Sequence, residues 1–424
     1  MIKQIVHHSA KLIQFIVLLQ LNLSKPQYRH VLNITEAVIV CEAPQYTLTT
    51  LYDLIVDAPD ASNVADFLRI SPWQVDDIKE PLREFVVRDL LQQADGQALW
   101  VSIDDSLTAK DKGTTCLEAV DWHHDHTKSG KQAYTNGTQH IEVRLQIGYQ
   151  AYVYDWELYL REQTVRRLNR KRAKEKRLSF RTKYRIVRAI LADLKQRLPA
   201  DLLVYVLFDS WYASNKLLKF CRRQGWHVIC AVKSNRTLDG LKLSKWNQRL
   251  KHQPYTRVNR TATDKGKRPY LVRALEGRLK NVPFAVCVLI SKRHRGDKRP
   301  KYFLCTDLSL SPQQILTHYK KRWPIEVDNY YVKQLLGLGD FRVRSFEATK
   351  KWFALIFLAY IYLQWRLNHK RPDENFKVIA DVIRQQRHYH ARQVLESACE
   401  LAIHSAAMTP VWQRFVSQAA LVPT

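Results

Sequence analysis

The sequence predicts an α/β fold: a helix-covered sheet, preceded by a helical lobe and followed by further helices. Three observations carry this. Residues 99–103 and 201–208 are apolar runs closing on acids, Asp104-Asp105 and Asp209. A run without polar alternation implies a strand buried on both faces. Residues 201–232 then read as strand, helix and strand, with Gly225 stopping the helix, a unit normally parallel and right-handed. Lastly, Tyr319, Arg322, Glu326 and Lys333 recur as Y-x2-R-x3-E-x6-K, at helical steps that place all four on one face.

Charge points to the partner. Among 424 residues, 68 are Lys or Arg and 40 are Asp or Glu, a net charge of +28. Such a surplus suits a polyanion, nucleic acid before a membrane surface. It is unevenly spread, since residues 1–98 hold 8 basic against 12 acidic side chains. Seven scattered cysteines with no C-x-x-C pair exclude a disulfide framework and a zinc ribbon, and fit a reducing cytosol. The apolar run 12–23 is broken by Gln14, Gln20 and Asn22, so it reads as an amphipathic or core helix rather than a signal peptide or membrane span. Residues 352–365 read as a buried helix.

Taken in order, residues 1–97 form a helical lobe with helices at 33–41, 47–55, 61–68 and 75–91, broken at Pro44, Pro59 and Pro72. This lobe is either a DNA-reading bundle or an interaction module. Residues 98–232 form the first part of the core. They open as a meander of strands at 99–103, 115–122 and 138–149, with turns at Gly113, Ser129-Gly130 and Asn136-Gly137. Residues 161–188 follow with 13 basic and two acidic side chains, either a phosphate-tracking stretch or a solubilising face. A helix at 184–198 ends at Pro199. After the strand-helix-strand unit, residues 233–301 hold 20 basic and four acidic side chains with short β-type runs, a β-rich basic insertion. Residues 302–366 resume the core, with Ser311-Pro312 capping the helix that leads into the Tyr319–Lys333 stripe. Residues 367–424 are a C-terminal helical region.

The chemistry lies in three acids. One of Asp104 and Asp105, together with Asp209, ends a core strand, where ligands gather in open sheets. Glu326 lies on a later helix. An isolated strand-end aspartate is usually a turn residue, and an isolated charged stripe is usually a solvated helix laced with ion pairs. Together, however, three hard oxygen donors without histidine or thiol suit Mg²⁺ or Mn²⁺, and two such ions catalyse in-line phosphodiester displacement. Arg322 and Lys333 could grip phosphates, and Tyr319 could bond a phosphate oxygen.

These residues carry a resemblance. Ile103-Asp104-Asp105-Ser106, Phe208-Asp209-Ser210-Trp211-Tyr212 and the Tyr319, Arg322, Glu326, Lys333 stripe resemble the three motifs of bacterial DDE transposases of the insertion-sequence-four-like superfamily. The similarity covers about residues 98–366. It implies an RNase H-like catalytic core interrupted by a β-rich insertion, with two divalent ions at the acids. It also implies cut-and-paste movement of DNA, in which nicking, hairpin formation and strand transfer share one site. The expected partners are transposon ends and target DNA, bridged by a homodimer without a membrane, in the cytoplasm at the nucleoid. The acidic lobe departs from the basic end-binding domain expected of such enzymes. Alternation puts Asp104 and Asp105 on opposite faces, so one of them binds metal, and Asp105, next to the hydroxyl residue, is preferred.

Expected DNA contacts, besides Tyr319, Arg322 and Lys333, are Arg170, Lys171, Arg172, Lys174, Arg342, Arg344 and Lys350-Lys351. His123-His124-Asp125-His126 reads as a turn near the DNA channel in preference to a zinc site, because adjacent strand residues point apart. Trp211 and Trp323 read as packing residues. An RNase H-like nuclease or resolvase without strand transfer, and a domesticated DNA-binding derivative, are the competing functions.

Overall fold

A computed structural model describes residues 2–42, 46–58, 60–92, 94–125, 128, 130, 133–259, 269–297 and 299–416. The expected features at Pro44, Pro59, His126 and Ser129 lie outside these residues. The chain opens with α1 (Ala10–Leu19), α2 (Lys25–Val40), α3 (Leu48–Asp53), α4 (Ala61–Arg69) and α5 (Asp76–Leu91). Ser9 accepts from the Leu12 N–H at the start of α1, and Ser24 with Gln27 forms a capping box on α2. That box starts α2 eight residues before the apolar spacing alone predicts. Helix α1 is amphipathic, burying Leu12, Phe15, Ile16 and Leu19.

The lobe is docked through charge as well as apolar contact. Lys79 of α5 reaches 2.6 Å from Asp155 and 3.3 Å from Glu157, while Arg83 lies 2.7 Å from Asp155. The Lys79 and Asp155 side chains are 5% and 1% exposed. Removing one partner of a buried pair strands the other charge. Because Arg83 still pairs with Asp155, Lys79→Ala is expected to cost less than a fully stranded charge, about 1–3 kcal/mol, read from urea unfolding. A cost no larger than that of an exposed pair would mean that the docking is apolar alone.

The sheet begins with β1 (Leu99–Ala109), β2 (Asp121–His124), β3 (Tyr134–Ile147) and β4 (Gln150–Tyr159). Two expectations are corrected here. Residues 115–120 are irregular, so the second strand is only β2, and β1 runs on past both acids to Ala109. Asn136-Gly137 is no turn but part of β3. Gly137 lies so close to β1 that a Cβ there would meet the Thr108 carbonyl oxygen at 2.1 Å.

Helices α6 (Glu162–Asn169) and α7 (Lys183–Arg197) lead to β5 (Val204–Phe208), α8 (Asn215–Arg223) and β6 (His227–Val232). Strand β5 runs parallel to both β1 and β6, as the strand-helix-strand pattern requires. The basic insertion contains a small hairpin, β7 (Thr237–Leu238) and β8 (Leu241–Lys242), then α9 (Leu243–Arg249), β9 (Thr256–Val258), β10 (Tyr270–Arg278) and β11 (Ala285–Lys292). It extends the same sheet: β9, β10, β11 and β12 (Lys301–Cys305) add antiparallel beyond β6. Ten strands result, in the order β2-β3-β1-β5-β6-β12-β11-β10-β9 with β4 on β3.

Next come α10 (Pro312–Tyr319), a 3₁₀ turn at Lys320–Arg322, α11 (Pro324–Gln334), α12 (Phe346–Asn368), α13 (Ile379–Ser405) and α14 (Thr409–Phe415). Helix α12 is buried on nearly every side, as its apolar run predicts. One apolar cluster runs from Ile5 through α12 to Ile383, so the lobe and the sheet share a core. A second cluster, with Trp100, Tyr205, Leu207, Phe303 and Ile315, lies under α10. Among the described residues, no helix is long and apolar enough to cross a membrane.

Candidate active site

Strand alternation sorts the two adjacent acids. Trp100, Ser102 and Asp104 face α10 and the 3₁₀ turn. Lys321 stands 4.4 Å over the Trp100 ring, the Ser102 hydroxyl donates to the Lys321 carbonyl at 3.4 Å, and Arg322 Nη1 lies 3.0 Å from Asp104. Asp105 faces α7 instead. It accepts from Lys183 Nζ at 2.7 Å and from Gln139 Nε2 at 2.5 Å. The signature helix therefore meets Asp104, and not Asp105, which the sequence preferred.

Register adds Asp209. In the parallel pair, Ser102 stands opposite Leu207. Continued two residues, just past the end of β5, this register would set Asp104 beside Asp209, and the two are near enough for their charges to interact. Asp209 Oδ1 also accepts from the N–H groups of Trp211 and Tyr212 at 2.9 and 3.3 Å, so it closes a turn as well. Glu326 is the third acid, and Arg322 ties it to Asp104, pairing through Nη2 with Glu326 and through Nη1 with Asp104.

The stripe bearing Arg322 and Glu326 is not one helix. Pro324 lacks an N–H and cannot continue α10, so the chain tightens into the 3₁₀ turn and restarts with proline in the first turn of α11. Arg322 and Glu326 keep their i,i+4 contact. The ends of the stripe diverge, however. Tyr319 packs edge-on against Phe303 at 4.9 Å, and burial pushes its phenol up to about 12. Lys333 donates to the Leu107 carbonyl at 2.8 Å, its pKa held below the usual lysine range by burial.

Desolvation pushes the Asp104 carboxyl up to about 7, with Asp105 and Asp209 adding to the rise and Arg322 opposing it. Opposite Asp104 on β3 is Glu142, fully buried, with neither carboxyl oxygen hydrogen-bonded. Burial raises its pKa well above the usual carboxylate range, and the nearby Asp328 and Asp104 add to the rise. Glu142, Gln139 and Lys183 lie beside Asp104 and Asp105, and the sequence did not single them out. Lys183 lies inside the basic run, yet its role depends on α7 crossing β1.

In kind, Asp104, Asp209 and Glu326 fit a hard divalent cation: all are carboxylates, and the crowded Asp104 has the raised pKa that a cation would lower. Among the described residues, no three His, Cys, Asp or Glu side chains are gathered closely enough to hold a metal ion as they stand. Arg322 lies between two of the three. In the histidine cluster, His123 is buried, with its pKa lowered by burial to about 4, while His124 is exposed.

The outlying cations divide. Arg170, Lys171 and Lys174 are exposed, but Arg172 lies 2.9 Å from Glu118 and 2.7 Å from Glu347. Lys351 is buried and donates to the Ser71 carbonyl at 2.7 Å, so it anchors the lobe. Arg342 and Arg344 are exposed beside a cleft of about 590 Å³. Neutralising Arg170, Lys171 and Lys174 is expected to reduce the salt dependence of duplex affinity by up to about 0.9 in log–log slope per lost contact. An unchanged slope would mark the stretch as a solubilising face. Trp211 packs as expected, stacked on Tyr184 at 4.8 Å. Trp323 does not; it is 61% exposed at the rim of a basic cavity of about 470 Å³ lined also by Tyr319, Arg322 and Lys292.

Residues 181–362 match the family model of the transposase DDE domain. The match takes in Asp209, Tyr319, Arg322, Glu326 and Lys333, and begins after β1. It supports a DDE transposase. No curated protein matches the chain.

Proposed function

We propose that this chain is a DNA transposase that cuts and joins phosphodiester bonds at Asp104, Asp209 and Glu326, moving an insertion sequence by cut-and-paste. The observation that carries this reading is the parallel register of β1 and β5, which brings Asp104 and Asp209 to the same end of adjacent strands, with Arg322 linking Asp104 to Glu326. The order β4-β3-β1-β5-β6, antiparallel then parallel, supports an RNase H-like core. The stripe at Tyr319, Arg322, Glu326 and Lys333 supports the insertion-sequence-four-like group.

Two divalent ions, Mg²⁺ or Mn²⁺, would be held by the three acids and would activate a water or 3′-hydroxyl and stabilise the leaving oxygen. The chain's own residues supply position and charge. Asp104 and Asp209 are fixed by the sheet, and Glu326 is carried by α11. Lys183 and Gln139 hold Asp105 on the far face, so only one of the adjacent acids enters the site. Arg322 and the basic cavity beside it offer cations to phosphates near the scissile bond, and Trp323 offers an exposed ring. The exposed Arg170, Lys171, Lys174, Arg342 and Arg344 extend the phosphate-binding surface, and a homodimer would bridge two element ends.

The test is to incubate the protein and Mg²⁺ with its flanking inverted repeats and a target plasmid. Joining of the 3′-OH end to the plasmid is expected. Nicking without joining would establish the nuclease or resolvase reading, and retained binding without nicking would establish a domesticated derivative.

A further inference from the structure

We propose that Arg322 is a displaceable plug that keeps divalent metal out of the acidic site until a phosphate draws it away. The inference rests on the metal reading above and concerns how that site is controlled. The Arg322 side chain is 12% exposed, and its guanidinium spans two acids from different elements, Asp104 on β1 and Glu326 on α11. Its two terminal nitrogens are both used, one on each carboxylate. A planar, permanently charged fork suits this span, with one terminal nitrogen for each carboxylate, whereas a lysine would have to bring a single ammonium nitrogen within reach of both. Two of the three donors are thus already engaged by a resident cation, and an incoming ion must compete with it.

An exit for the guanidinium is at hand. Arg322 also lines the basic cavity with Tyr319, Lys292, Lys301 and Trp323. A phosphate bound there would offer the fork a bidentate partner as good as the carboxylates it leaves. Metal and nucleic acid would then each favour the conformation the other needs, which is reciprocal coupling between two sites. The consequence is protective, because the metal-free site keeps a resident counter-charge and the enzyme binds its ions on DNA.

The test is Mn²⁺ binding to the full chain, followed by electron paramagnetic resonance without any cleavage assay. Wild type alone should bind weakly, and Arg322→Gln should bind at least about tenfold more tightly. Arg322→Lys keeps the charge but loses the span, so it should move towards Arg322→Gln. If Arg322→Lys behaves as wild type, net charge and not the bridge governs affinity, and the plug is overturned. With wild type alone, so that variant folding is no concern, a 5′-phosphorylated duplex should tighten Mn²⁺ binding by a similar factor. No tightening would also overturn the plug. If Mn²⁺ binds neither protein, with or without duplex, the metal reading fails instead.

Discussion

Asp104→Asn is expected to abolish Mg²⁺-dependent nicking, by at least about 10³-fold, while Asp105→Asn costs no more than about a hundredfold. The two residues are adjacent and alike, yet their faces differ: Asp104 meets Arg322 at 3.0 Å, and Asp105 meets Lys183 at 2.7 Å. On the proposed assignment, the first change removes a donor from the reacting centre and the second loosens a support. Supercoiled-plasmid nicking under single-turnover conditions measures both, and equal losses would refute the assignment.

Asp104→Asn should also alter stability, with a defined sign. The folded-state pKa of about 7 lies above the ordinary aspartate value, so the native protein binds more protons than the unfolded chain between about pH 4 and 7. Stability of the metal-free protein therefore falls as pH rises through that window and levels off above it. The asparagine variant should lose this slope and be the more stable protein at pH 8, by a few kcal/mol at most. Urea midpoints at pH 5 and 8 report the difference, and a slope unaffected by the substitution would assign it to another group.

Glu326→Gln is expected to stop nicking to a similar extent while leaving duplex affinity within about twofold. The substitution keeps the shape of the side chain on the first turn of α11 but removes the charge. Loss of DNA binding in parallel would mean that Glu326 organises the phosphate contacts instead of the reacting centre. Wild-type nicking would remove it from the site altogether.

Much of this arrangement was legible in the residues. Two apolar runs closing on Asp, a strand-helix-strand unit and a Tyr-Arg-Glu-Lys spacing located the sheet centre and the signature helix. The match between Ile103-Asp104 and Phe208-Asp209 already contained the register that brings Asp104 towards Asp209, because an apolar residue followed by aspartate opens each motif. The preference for Asp105 weighed the hydroxyl neighbour above this register. Other features depend on tertiary partners. Lys183 is one cation among 13 in its stretch until α7 is laid across β1. Arg172 and Lys351 read as free cations because Glu118, Glu347 and Ser71 lie far from them in sequence. β4 escaped notice because residues 150–159, Gln-Ala-Tyr-Val-Tyr-Asp-Trp-Glu-Leu-Tyr, bury Tyr154, Asp155 and Trp156 in succession and mask the strand period.

Localised backbone cleavage by Fe²⁺ with ascorbate, on the protein bound to a duplex, tests most directly whether Asp104, Asp209 and Glu326 share ions. Fragments ending near residues 104, 209 and 326 together, all suppressed by excess Mg²⁺, are the predicted result. Cuts confined to one of these segments, or gathered at His123-His124, would contradict it.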